Sequence, residues 1–151
     1  MKKMSLMICL WIVGIAVMSG CKKSGDDVPQ VPTKTYKFTV KSSGLLADDR
    51  ISVEFGGSPI DDKVKTIIKV DGVQQDNQYS VELTRAQLTK SGGVVVESVL
   101  PIYQMSFILS GYSGTTGHTF AISVDPVVNG VPAASVNKTF TTDTFTQSYN
   151  Y

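Results

Sequence analysis

Beyond position 21 the chain has no cysteine; the only two, Cys9 and Cys21, lie at its front. A domain built from the remainder carries no disulfide and no thiol nucleophile, so its stability must come from core packing. Histidine is almost as scarce. His118 is the single one, which leaves too few nitrogen or sulfur ligands for zinc and makes it the obligatory base of any serine triad. It alternates in phase with Phe120 and Ile122, which reads as a half-buried structural residue at a strand end. An excess of one charge is also missing. With 14 basic and 13 acidic residues and no basic stripe, nucleic acid is excluded as a partner. No cofactor is expected.

Only one long apolar run exists, Met4 to Met18, preceded by Lys2-Lys3 and closed by the small residues Ser19 and Gly20. It is shorter than the roughly 20 residues that span a bilayer, and a polar Lys-Lys-Ser-Gly-Asp-Asp stretch follows soon after it. A positive start, an apolar centre and a small-residue end make an export signal over residues 1–20, removed in the mature protein. Trp11, the only tryptophan, leaves with it. Of the 151 residues, 20 are lost and 131 remain, with 12 basic residues (14 less Lys2 and Lys3) against 13 acidic ones. That length suits one domain.

Ser19-Gly20-Cys21 resembles the lipobox of bacterial lipoproteins, with Met18 where leucine is commonest. The resemblance implies cleavage between Gly20 and Cys21 and lipidation of the Cys21 thiol. Several acyl chains, each contributing about 0.8 kcal/mol per buried methylene, would then hold the protein on a membrane almost permanently. Residues 21–33 mix charge, Gly, Ser and two Pro and read as a flexible tether. Lys22 stands where an aspartate favours inner-membrane retention, and Asp26-Asp27 resembles the acidic export signal of Bacteroidota-type surface lipoproteins. The resemblance therefore implies an outer-membrane, lipid-anchored and surface-exposed placement.

Residues 34–151 read as a single β domain, because apolar and polar residues alternate with the period of a half-buried strand. Tyr36, Phe38 and Val40 form one such face; Ile51, Val53 and Phe55 another; Tyr79, Val81 and Leu83 a third. Tyr103, Met105, Phe107 and Leu109, and then Phe120, Ile122 and Val124, continue the pattern. Val64–Val70, Val94–Leu100 and Ala134–Thr142 are rich in Val, Ile and Thr, which brings the candidate strands to eight. Asp71-Gly72 and Asn129-Gly130 favour positive φ and predict two type I′ hairpins. Gly56 to Pro59, Ser91 to Gly93 and Ser110 to Gly114 read as looser breaks, and Leu83–Leu88 as at most a turn or two of helix. Strands without a long amphipathic helix predict an all-β antiparallel sandwich of about seven to eight strands, with a small closed barrel as the alternative. The last third resembles the closing hairpin of fibronectin type III and immunoglobulin-like domains. It runs from Thr115 to Val124 through Asn129-Gly130 to Lys138–Thr142, with His118 at the place of that family's corner tyrosine.

Chemistry has few carriers. Asp48-Asp49 and Asp61-Asp62 fall in predicted loops, where carboxylates can chelate Ca²⁺, although the alternate-position spacing of a dedicated calcium loop is lacking. The same carboxylates could form a glycosidase acid/base pair. Tyr112, in the Ser110–Gly114 segment, and His118 are the candidate ligand-binding residues, Tyr112 as an aromatic face for a sugar ring; Tyr103 reads as core. The tail aromatics Phe145, Tyr149 and Tyr151 could add a strand to a partner or extend the last strand. The leading expectation is a non-enzymatic lipoprotein serving as a surface interaction or accessory module, its partner a surface protein or a polysaccharide. A glycan-binding lipoprotein and a small hydrolase using loop carboxylates are the alternatives.

Overall fold

The computed structural model describes residues 32–151. The export signal, Cys21 and most of the tether lie outside the described residues. Eleven strands and one short helix follow in the order β1 Tyr36–Ser43, β2 Arg50–Ser58, β3 Ile68–Val70, β4 Val73–Gln74, β5 Ser80–Glu82, α1 Arg85–Leu88, β6 Val94–Ser98, β7 Gln104–Tyr112, β8 Phe120–Val128, β9 Val131–Pro132, β10 Val136–Phe140 and β11 Phe145–Asn150. They form two antiparallel sheets, one ordered β10-β8-β1-β6-β3-β4 with β9 on the end of β8, the other ordered β11-β7-β2-β5. The sheets stay open and face one another, so the fold is a sandwich and the closed barrel is set aside.

Period-two patterning puts Phe38 and Val40 of β1, Val53 and Phe55 of β2, Met105, Phe107 and Leu109 of β7, and Ile122 and Val124 of β8 in one core. The Phe38 ring touches those of Phe55, Phe107 and Tyr151, with centroids 5.1, 6.0 and 5.4 Å away. Edge and tilted contacts of this kind add about 0.5–1.5 kcal/mol per pair to plain area burial.

Both predicted hairpins form. Asp71 and Gly72 have φ of 49° and 83°, and Asn129 and Gly130 have φ of 51° and 78°, connecting β3 to β4 and β8 to β9. The turn side chains also clamp other segments. Asp71 Oδ1 accepts from Val95 N at 2.9 Å and Oδ2 from Lys90 Nζ at 2.7 Å, while Asn129 Oδ1 accepts from Thr35 N at 2.8 Å. The Lys90 ammonium and the Val95 amide hold the Asp71 carboxyl below the usual carboxylate range. Gly130→Ala is expected to cost about 1 kcal/mol through its positive φ, read as a fall in urea midpoint at unchanged slope.

Several sequence-based boundaries are corrected. The Gly56-Gly57 and Ser110-Gly111 pairs are strand interiors, not breaks. A Cβ on Gly57 would press on Ile67 and Ile102, and one on Gly111 would run into the Arg50 carbonyl oxygen, so these glycines permit close approach within sheets. The Val64–Val70 strand shrinks to Ile68–Val70, and Val94–Leu100 ends at Ser98. Helix α1 is a single turn held by a capping box, in which Thr84 Oγ1 accepts from Gln87 N and Gln87 Oε1 accepts from Thr84 N.

Candidate functional site

The two ends of β7 hold the residues with chemical potential. At the Tyr112 end, the loop after β1 and the loop after β7 meet around Asp49, whose exposure is 0%. Its Oδ2 accepts from Leu46 N at 2.8 Å and lies 3.2 Å from His118 Nε2, and its Oδ1 accepts from Gly114 N at 3.1 Å. Arg85 of α1 reaches over the same loop, donating to the carbonyls of Leu46 and Asp49. Gly114 must be glycine, since a Cβ there would collide with the Asp48 carbonyl. Burial is the strongest single influence on the Asp49 carboxyl and raises its pKa. The donors Leu46, Gly114 and Ser113 together with the His118 charge outweigh that, and hold it below the usual carboxylate range.

Aspartate, histidine and serine thus converge, but in the wrong order for nucleophilic catalysis. His118 and Ser113 both turn to Asp49, and Ser113 is buried, its hydroxyl 3.2 Å from the Thr115 carbonyl. A triad needs the histidine between serine and carboxylate, with the hydroxyl presented to substrate. The cluster functions instead as a clasp that locks two loops and α1 together. Asp49 thus spends its oxygens on two backbone amides and the His118 ring, an arrangement that sequence patterning missed because most of its partners are backbone groups.

The carboxylate pairs do not meet. Asp48-Asp49 precede the nine residues of β2 and Asp61-Asp62 follow them, at opposite ends of a strand about 27 Å long. Asp61 is spent on a turn, accepting from Lys63 N at 2.9 Å, and the Asp62 carbonyl accepts from the Tyr79 hydroxyl at 2.9 Å. Among the described residues no three His, Cys, Asp or Glu side chains gather in a way that could hold a metal ion. Tyr112 is not in a loop. It closes β7 opposite Arg50, with its ring half exposed. His118 is half-buried and tied to Asp49, so the two candidate ligand-binding residues differ in availability.

At the far end of β7 lies an open groove of about 390 Å³ lined by Pro32, Lys34, Tyr103, Gln104, Asn150 and Tyr151. Tyr103 was expected in the core but is 51% exposed. The chain changes sheets there. Ile102 exchanges both backbone hydrogen bonds with Lys34 at 2.9 Å, whereas Tyr103 N donates to Ser58 O, so Ile102 takes the inward place and Tyr103 faces out. Beside it Gln104 Nε2 donates to Asn150 Oδ1 at 3.1 Å. The tail aromatics add a strand to their own chain: β11 pairs with β7, and Tyr149 stacks on Phe107 at 4.7 Å.

The fold has solved counterparts. One is a domain of unknown function, DUF4425, from Bacteroides vulgatus, with a TM-score of 0.58 at 16% identity over 79% of this chain and 94% of that one. Another is a DUF4425 family protein from Bacteroides ovatus, with a TM-score of 0.55 at 15% identity over 80% of this chain and 95% of that one. At such identity the likeness is one of fold. No family model and no curated protein matches the sequence. No helix among the described residues is long and apolar enough to cross a membrane.

Proposed function

We propose that the protein is a lipid-anchored, non-catalytic binding module of the outer membrane, carried on Cys21 and presented at the cell surface. The observation that supports the non-catalytic reading is the engagement of its one histidine and its buried carboxylate with each other: His118 and Asp49 close a loop clasp in which Asp49 is fully enclosed. The Ser19-Gly20-Cys21 sequence supports the anchor, and the Pro- and charge-containing stretch before Pro32 supports a tether that leaves the sandwich free to engage a partner. The antiparallel pairing of β8 with β10 supports reading the sandwich as immunoglobulin-like.

Metabolic labelling with a palmitate analogue tests the anchor. Label is expected on the wild-type chain and absent from Cys21→Ala, which should move from the membrane fraction to the soluble fraction. Equal membrane retention of the two chains would defeat the proposal.

A further inference from the structure

The outer face of the β11-β7-β2-β5 sheet differs in kind from that of its partner. On the larger sheet the outward residues include Lys37 and Lys69, bridged by Glu97 at 3.6 and 3.3 Å, an ordinary solvated charge ladder. On the smaller sheet the outward positions of β7 are Gln104, Ser106, Ile108, Ser110 and Tyr112, and their cross-strand partners on β11 and β2 include Ser148, Thr146 and Ser52. Small hydroxyl side chains make a nearly level floor. They are bound to neighbours across it, Ser110 to Thr146 at 2.8 Å and Ser52 Oγ to Glu82 Oε1 at 2.7 Å.

This floor runs the length of β7, about 27 Å for eight residue steps, with one aromatic ring on it and a second in the groove beyond its other end. Tyr112 stands at one end. At the other, Gln104 and Asn150 lead off the floor into the groove beside the exposed Tyr103. Charge along the lane balances. Arg50 beside Tyr112 and Lys34 in the groove are cationic, while Glu54 and Glu82 lie directly opposite each other near the middle. Among the described residues neither of these glutamates has a lysine or arginine within ion-pair distance. Two adjacent carboxylates facing solvent disfavour anionic groups at the middle of the lane and accept hydrogen bonds from hydroxyls. A protein partner would need a contiguous apolar centre, whereas the exposed apolar side chains of the lane, Tyr103, Ile108 and Tyr112, are spread along its length with Ser106 and Ser110 between them.

The geometry points to this face as a binding lane for a neutral polysaccharide, with sugar rings stacking on Tyr103 and Tyr112 and the sugar hydroxyls meeting the amides, hydroxyls and glutamates between them. The inference names the partner class of the binding module proposed above and rests on that reading. An extended, hydroxyl-rich chain matches an extended, hydroxyl-rich floor. A planar ring with few rotatable bonds supplies contact area at each end with little loss of conformational freedom.

Native affinity electrophoresis of the full-length chain in detergent tests the lane. Separate gels would contain a soluble β-glucan, a galactomannan, a mannan and, as the anionic comparison, polygalacturonate. Retardation is expected in at least one neutral gel and not in polygalacturonate. Tyr103→Ala and Tyr112→Ala should each weaken it about tenfold, the equivalent of one aromatic contact. Ser106→Arg, which puts a long cation on the exposed floor, should abolish it while the circular dichroism spectrum stays that of wild type. No retardation in any neutral gel, retardation in polygalacturonate alone, or full retardation of Ser106→Arg would each overturn the lane. So would a dimer of the wild-type chain that Ser106→Arg dissolves, since a second copy would then be the occupant. New reducing ends in the gel-bound polysaccharide would count against the non-catalytic reading instead, and acylation at Cys21 is measured independently of both.

Discussion

Replacing Asp49 by alanine is expected to destabilise the protein by about 2–3 kcal/mol, among the largest effects of any single substitution outside the aromatic core. The carboxylate is fully buried and satisfies the amides of Leu46 and Gly114 as well as the His118 ring. Without it two backbone donors and an imidazole lose their acceptor in a part-buried site that water reaches in places, so each costs no more than about 1 kcal/mol. Asp49→Asn keeps one acceptor oxygen and should lose only about 1–2 kcal/mol. The two variants also separate by pH. The folded pKa of Asp49 lies below its unfolded value, so its contribution is complete above the ordinary carboxylate range and disappears as pH falls through the depressed value. Urea unfolding from about pH 5 down to about pH 2 should therefore show wild type losing stability more steeply than Asp49→Asn. Parallel acid profiles, or an alanine variant within 1 kcal/mol of wild type, would show that the clasp is not what holds the loops.

The parts of the fold that were legible in the sequence are those governed by local rules. Alternation assigned the inward faces of β1, β2, β7 and β8, because a buried face and a period of two leave one register for each strand. Asp-Gly and Asn-Gly located both hairpins, because few other dipeptides accept positive φ at both positions. Errors arose where a distant strand decides. Tyr103 continues the alternation of Met105 and Phe107, yet Ile102 is claimed by Lys34 and the phase breaks between them. Gly111 looks like a turn until the Arg50 carbonyl is placed beside it. The polar run Thr146-Gln147-Ser148 gives little sign of a strand, since β11 needs the edge of β7 to form. The candidate site was legible only as residue types. Tyr112 was identified as an available aromatic, but its partner ring Tyr103 and the hydroxyl floor between them exist only once four strands are laid side by side. His118 could be recognised as a half-buried residue at the start of a strand from its phase with Phe120. Its partner Asp49 could not be, since nothing in a single sequence separates an aspartate that accepts backbone amides from one that is simply solvated.

Truncation after Thr144 should leave no folded monomer, because the seven residues removed close both the core and an edge. The Tyr149 ring stacks on Phe107, Tyr151 meets Phe38 at 5.4 Å, and the Tyr151 carbonyl accepts from the Tyr36 hydroxyl at 3.1 Å. Loss of the three partly buried aromatic side chains Phe145, Tyr149 and Tyr151 removes about 3–6 kcal/mol of apolar burial, comparable to the whole stability of a domain of this size. The damage extends beyond the core. Pairing from Phe145↔Gly111 to Asn150↔Ser106 covers one side of β7, and without β11 that strand becomes a long open edge with Ile108 on its surface. Such an edge invites pairing with other chains, so the truncated protein should aggregate as well as unfold. Tyr149→Ala in the intact chain separates the two contributions. It keeps the β11 backbone in place and removes only the stack, with an expected cost of about 2–3 kcal/mol and a monomer on size-exclusion chromatography. A truncated chain that stays monomeric with a wild-type melting temperature would mean that the last strand is dispensable. The sandwich would then owe its closure to Phe38, Phe55 and Phe107 alone.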